Sequence, residues 1–187
     1  MKKIVLFASG SGSNVENIVN YFKKNETVEI IKVYTNNPKA YVIERCGKLG
    51  LPCSIFSRKE FVENLAVLDE LKTLKPDLIV LAGFLWLIPK AYVEAFPKQI
   101  INIHPALLPK YGGKGMYGSH VHKAVVANNE VESGITIHYV NDKYDEGQVI
   151  KQVKCSITRE DCADDVAEKV HQLEYSHFPA TINEILN

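Results

Sequence analysis

The chain has 187 residues and a mass of 21.0 kDa, which suits one domain, residues 1–187, at roughly 100–200 residues per domain. Hydrophobic residues make up 46% and charged residues 24%, a globular mix that excludes disordered, collagenous and low-complexity readings. Twenty-two Lys+Arg balance 22 Asp+Glu, so no broad cationic field invites nucleic acid, and the expected partner is a small molecule.

Met1-Lys2-Lys3 runs into a brief apolar stretch, residues 4–8, with Gly10-Ser11-Gly12-Ser13-Asn14 close behind. The stretch is too short for a signal peptide and reads as a first buried strand. No apolar run approaches the ~20 residues that cross a bilayer, so no membrane is expected. Cys46, Cys53, Cys155 and Cys162 lack CxxC spacing, which suggests neither a zinc site nor a redox pair. No metal is expected, and a soluble cytoplasmic protein with reduced thiols is the plain reading.

Strand and helix signals alternate along the first two thirds. Residues 3–8, 28–34, 52–56, 78–82 and 100–103 are apolar or β-branched runs, with 78–82 and 100–103 reading as strands buried on both faces. Ser57 and Glu60 have capping-box spacing, and Phe61, Leu65, Leu68 and Leu71 follow at helical intervals, predicting one helix that Lys75-Pro76-Asp77 stops. The rhythm predicts an α/β fold, a doubly wound, mostly parallel sheet. Residues 134–140 and 148–157, joined by the turn-rich loop 141–147, predict an antiparallel C-terminal addition. Val166, Val170 and Leu173 mark a closing helix from Asp164, bent or stopped near Pro179.

Three constellations can carry chemistry. The Gly10–Asn14 turn precedes a predicted helix, where backbone N–H groups bind anions and Ser13 and Asn14 add side-chain donors. A dinucleotide fingerprint would need glycine where Val15 stands and an acidic residue where the second strand ends in Thr35-Asn36-Asn37, so a monophosphate is favoured over NAD. Asn102 and His104 lie two apart on an extended segment and share a face beyond the carboxyl end of a central strand, where open α/β sheets place ligands. A carboxamide can donate to a developing oxyanion and an imidazole can move a proton. Asp145, in a loop that would otherwise read as a plain turn, is a candidate partner that raises the His104 pKa. His120 and His122 open a helix-like stretch, residues 121–127, and can form a wall of the site, but lack the third ligand of a metal set. His138 can face either the site or the core, and Trp86 is as much a core aromatic as a ligand contact.

GSGSN, LAGFLWLIP, NIHPALLPKYGG and YDEGQVI together resemble the 10-formyltetrahydrofolate-dependent formyltransferase family, in its branch acting on phosphoribosylglycinamide, over essentially the whole chain. The resemblance implies a Rossmann-like formyltransferase fold and formyl transfer from 10-formyltetrahydrofolate, as co-substrate, to that amine in purine biosynthesis. It implies that Asn102, His104 and Asp145 are catalytic. Gly12, Ser13, Asn14 and Glu174 would bind the phosphorylated amine, and Arg58, Leu85, Trp86, Leu87, Ile88 and Asn102 the folate. The loop 114–118 looks longer than the family's usual one, and Trp86 replaces a basic residue of some members. A formyltetrahydrofolate hydrolase and an amino-sugar formyltransferase are the near alternatives. An NAD(P)-dependent oxidoreductase and a non-catalytic sensor of a phosphorylated ligand are the distant ones.

Overall fold

A computed structural model describes all residues, 1–187. In chain order the elements are β1 (Lys2–Phe7), α1 (Ser13–Phe22), β2 (Val28–Thr35), α2 (Val42–Leu49), β3 (Cys53–Ile55), a π-helical turn (Lys59–Glu63), α3 (Ala66–Leu74), β4 (Leu78–Leu81), α4 (Lys90–Ala95), β5 (Ile100–His104), α5 (Ser119–Ala127), β6 (Glu132–Tyr139), β7 (Val149–Ser156) and α6 (Ala163–Leu186). The seven strands form one sheet in the order β3-β2-β1-β4-β5-β6-β7. The pairs from β3 to β5 are parallel, while β5–β6 and β6–β7 are antiparallel. The mostly parallel α/β sheet with its antiparallel C-terminal addition is thus as the sequence predicts.

Side chains alternate across the sheet, and the alternation divides the core. Ile4, Leu6 and Ala8 of β1 and its exit face a cluster with Ile18, Val42, Val121, Val170 and Phe178 from α1, α2, α5 and α6. Val5 and Phe7 face the other, which holds Tyr34, Phe56, Phe61, Leu71, Phe84 and Tyr92. From Ile4 onward β1 is covered on both faces, as is all of β4, which explains the apolar runs Ile4–Phe7 and Leu78–Leu81. The strand order reverses beside β1, so the crevice beyond the carboxyl ends of β1 and β4 is where such a sheet takes ligands.

Two local expectations need correction. The helix predicted from Phe61 to Leu71 is divided, because Leu65 adopts a left-handed conformation (φ 56°) between the π-helical turn and α3. The Asn64 side chain accepts the Ala66 N–H at 3.1 Å there, a local turn bond that competes with the helical ladder. The capping box itself is present, with Ser57 N–H on Glu60 at 2.8 Å and Glu60 N–H on Ser57 Oγ at 3.3 Å. The second correction is α6, which runs through Pro179 to Leu186 rather than stopping. Proline has no N–H for the carbonyl four residues back, and that carbonyl, Tyr175, instead accepts Asn17 Nδ2 at 3.0 Å. A donor from α1 fills the gap, and Pro179 and Phe178 are buried.

Candidate active site

A cleft of about 650 Å³ opens at the carboxyl ends of β1, β4 and β5, lined among others by Gly12, Asn14, Trp86, His104, Asp145 and Glu174. That volume is ample for small-molecule binding. Its floor is the pair the sequence singles out. Asn102 and His104 end β5 and both line the cleft, and antiparallel β6 sets His138 directly opposite Asn102.

These side chains meet Asp145, which comes over from the β6–β7 loop. Asp145 Oδ2 lies 3.5 Å from His104 Nδ1 and Oδ1 lies 3.6 Å from His138 Nε2. Asn102 Nδ2 is 3.1 Å from His138 Nε2 and donates to Asp145 Oδ1 at a long 3.4 Å. The firm anchor of the carboxylate is the Gly113 N–H, at 2.9 Å. The motif NIHPALLPKYGG therefore returns to the site at both ends, because the Tyr111 carbonyl is 2.7 Å from His104 Nε2. A carbonyl only accepts, so Nε2 carries a proton and the neutral ring offers Nδ1 as its lone pair. His138 has the opposite tautomer: Nδ1 is 2.9 Å from the Tyr139 carbonyl, leaving Nε2 to accept from Asn102.

The charge balance corrects one expectation. His104 is 3% exposed, and its pKa is lowered, not raised. Burial disfavours the imidazolium more than Asp145 and the Tyr111 carbonyl favour it, with His138 opposing it further. Asp145 also feels burial, which pushes its carboxyl up. Contacts with His138, His104 and the Gly113 N–H outweigh that and hold it below the usual carboxylate range. The resting pair is an ionised carboxylate beside a neutral imidazole, since Asp145 accepts from the Gly113 N–H and Asn102 while burial opposes the His104 imidazolium.

The opposite wall is built by the helices. Gly12 precedes α1 with φ 74°, and a Cβ there would sit 2.5 Å from Val42 Cγ2, so the turn needs glycine. No side chain caps α1, which leaves first-turn N–H groups to an anion in the cleft. Arg45 Nε holds the Ser11 carbonyl at 2.8 Å, and its guanidinium pairs with Glu16. Asn14 departs from expectation: its Nδ2 donates to Glu174 Oε2 at 2.9 Å, so its side-chain donor faces α6 rather than an anion. Its Oδ1 is buried without a partner. Burial is the main reason that the Glu174 carboxyl is raised, against the Asn14 hydrogen bond and nearby His171.

His122 also lines the cleft, whereas His120 does not. His122 is 2% exposed and its Nδ1 has no partner. Burial, then His171 and His104, push its pKa down to about 4. Sequence reasoning missed His171, which lines the cleft beside Glu174; the i, i+3 spacing of the two on α6 was the available signal.

Beyond β4, Leu85, Trp86, Leu87 and Ile88 form the remaining wall, with Leu85 N–H held by Ser9 Oγ at 3.0 Å. Trp86 stands against Phe56 and Phe61, with ring centroids 5.9 and 6.0 Å away. Arg58 is not part of the cleft lining; its guanidinium lies over the outer face of Trp86, 5.9 Å from the ring centroid. The loop 114–118 lines the cleft as well.

Comparison with known proteins adds an independent line. Residues 2–182 match the formyl transferase family model. The chain is 35% identical to phosphoribosylglycinamide formyltransferase of Haemophilus influenzae, over 97% of this chain and 86% of that protein. It is 36% identical to the chloroplastic phosphoribosylglycinamide formyltransferase of Arabidopsis thaliana, over 98% of this chain but 65% of that longer protein. The crystal structure of phosphoribosylglycinamide formyltransferase from Streptococcus pneumoniae superposes with a TM-score of 0.88 at 32% identity, each chain fully covered.

Proposed function

The chain belongs to the formyl transferase family, and on that premise we propose that it transfers the formyl group of 10-formyltetrahydrofolate to the amine of phosphoribosylglycinamide, in purine biosynthesis. It would act as one domain in the cytoplasm; no helix is long and apolar enough to cross a membrane. The observation that carries the reading is the cluster of Asn102, His104 and Asp145 on the cleft floor, between an uncapped helix N-terminus and an aromatic wall. An anion site on one side and a flat apolar wall on the other suit a phosphorylated amine and a folate ring system.

The donor set fits that pair of substrates. Backbone N–H groups at Ser13 and Asn14 face the phosphate, while Asn14 Oδ1 and His122 Nδ1 are buried polar atoms still lacking partners. Leu85, Trp86, Leu87 and Ile88 face the folate, and Arg58 stands outside them as a cation for its carboxylates. The folate supplies an activated formyl group. Binding both reactants in one cleft converts a bimolecular step into a positioned one. Asn102 donates to the oxygen on which charge develops. His104 takes up the proton of the attacking amine at Nδ1, and Asp145, 3.5 Å away, stabilises the imidazolium that results. The proton then passes to the folate nitrogen as its bond to the formyl carbon breaks.

The test is to follow the appearance of deformylated folate with phosphoribosylglycinamide as acceptor and again without acceptor. Turnover that depends on the acceptor is expected. Equal turnover without it would make the protein a hydrolase and overturn the reading.

A further inference from the structure

The connection from β6 to β7 covers residues 140–148, longer than the about two to five residues common in hairpins, and it carries Asp145. Its base is pinned. The Tyr139 N–H donates to the Gln148 carbonyl at 2.9 Å, and Gly147 packs so closely on Tyr139 that a Cβ would lie 1.7 Å from the carbonyl oxygen. Lys143 N–H turns back onto Asn141 Oδ1 at 3.0 Å. The tip is held differently. Asp145 has φ 57°, and only the Gly113 N–H grips its carboxylate at ordinary hydrogen-bond length. Its distances to His104 and His138, 3.5 and 3.6 Å, are too long to clamp it.

The second grip on the tip comes from the neighbouring residue. The Leu87 N–H donates to Tyr144 Oη at 3.1 Å, across the cleft that both residues line. Leu87 is 38% exposed, so its backbone N–H does not need the phenol to escape burial. A phenol has two side-chain torsions and a rigid ring, so an anchor at its far end constrains the backbone that carries it. β4 and β5 are neighbours in the sheet. The bond thus closes a ring: β4, Leu87, Tyr144, Asp145, His104, β5.

We propose that Tyr144 is a positioning residue for the transfer: by accepting the Leu87 N–H, it ties the folate-side wall to the loop bearing Asp145 and fixes that carboxylate against His104. The proposal rests on the functional reading above and adds to it a residue outside the Asn102, His104, Asp145 set. Filling the folate side of the cleft then bears on the strap that sets Asp145, so folate occupancy and the proton-moving pair are mechanically linked.

The test is Tyr144→Phe, which keeps the ring and removes the oxygen. His104 is titrated by NMR in the wild type and the variant, both without ligand, and steady-state rates are measured for both. Asp145 is the main influence favouring the His104 imidazolium, so a looser Asp145 should move the titration to lower pH. The kcat should fall about threefold to tenfold, the range of one net hydrogen bond, with KM for phosphoribosylglycinamide unchanged. In an Asp145→Asn background the same substitution should cost nothing further, because its effect passes through that carboxylate. An unchanged His104 titration overturns the proposal whatever the rates do, as does an undiminished loss in the Asp145→Asn background. If the wild type fails to transfer formyl to the amine, the functional reading falls, while the titration still decides the role of Tyr144.

Discussion

Two polar clusters face each other across the cleft with the same composition, one asparagine, two histidines and one carboxylate, and they are in opposite states. Asn102, His104, His138 and Asp145 are in hydrogen-bond or close polar contact with one another and with the Tyr111, Gly113 and Tyr139 backbone, and the carboxyl is pushed toward ionisation. Asn14, His122, His171 and Glu174 have one internal hydrogen bond, Asn14 to Glu174. They leave Asn14 Oδ1 and His122 Nδ1 unmet, and burial favours the uncharged form of both His122 and Glu174. The difference is one of donors per carboxylate. Asp145 accepts from the Gly113 N–H and the Asn102 amide and faces two imidazoles that can take up charge, whereas Glu174 has one amide and a low-dielectric surround, so desolvation prevails there. A saturated, charged cluster is prepared to do chemistry; an unsaturated, neutral one is prepared to receive hydrogen bonds.

The sharpest way to break that contrast is His104→Ala. If the β5 cluster is the reacting one, turnover should fall by about 10²–10⁴-fold, the usual cost of removing one positioned proton-transfer or oxyanion group. Both ligands should still bind, because the anion turn and the aromatic wall are untouched. Separate titrations of each ligand alongside the rate settle it. A variant that keeps most of its turnover would reduce His104 to a structural residue and the two clusters to a coincidence of composition.

Asp145→Asn comes next. Asparagine tolerates the left-handed φ of 57° as aspartate does and can still accept the Gly113 N–H, so the fold should survive. The charge is lost, and with it the main influence favouring the His104 imidazolium. The His104 titration should move to lower pH and turnover should fall about 10²-fold, at the lower end for a proton-transfer group. An unmoved titration would dissolve the pair.

The contrast also separates what the sequence makes legible from what it does not. Asn102 and His104 are legible because two-residue periodicity on a strand fixes a shared face, and the parallel sheet fixes which end of that strand carries ligands. Asp145 needs the resemblance, since 41 positions and an antiparallel hairpin separate it from His104. The direction of the His104 shift is illegible, because a neighbouring carboxylate can be inferred from a motif but burial can only be measured in a fold. Pro179 teaches the same lesson from the backbone. A proline predicts a bend or a stop, and only the tertiary neighbour Asn17 explains why the helix does not stop. Asn14 reads as a donor to phosphate until Glu174, 160 positions away, is seen to take its amide.

That last contact gives a selective test. Asn14→Ala removes the one hydrogen-bond donor to buried Glu174, so the carboxyl should titrate still higher. Binding of phosphoribosylglycinamide should weaken roughly tenfold, the effect of losing one hydrogen bond beside a buried polar group. Folate affinity should stay, since no residue from 85 to 88 is touched. Trp86→Ala should do the reverse, weakening folate and sparing the amine, because it removes the ring on which Arg58 rests. Calorimetric titration of each ligand into each variant reads both. A loss of folate affinity in Asn14→Ala would exchange the two subsites.

The last effect is a tilt of stability with pH rather than a loss of turnover or binding, and His122 is the neutral cluster's share of it. His122 is held at a pKa of about 4 by burial and by His171 and His104, against ~6.5 in an unfolded chain. Below 6.5 the unfolded state binds the proton that the folded state refuses, so this contribution is complete above pH 6.5 and is lost as the pH falls towards 4. One proton corresponds to about 1.4 kcal/mol per pH unit, or about 3 kcal/mol over the window. His104, also lowered, tilts stability in the same direction, so the wild-type slope is not diagnostic by itself. Asp145 contributes little here, because a lowered carboxyl loses stability only below its unfolded value of ~3.9. Glu174 runs the other way, its raised carboxyl favouring the fold at low pH. The difference between wild type and His122→Gln isolates the one group, since glutamine keeps a polar side chain that cannot titrate. Chemical denaturation at intervals from pH 7 to 4.5 should show the variant losing stability less steeply than the wild type. Parallel curves would mean that His122 gains a partner on protonation, and that this wall is not held neutral by burial.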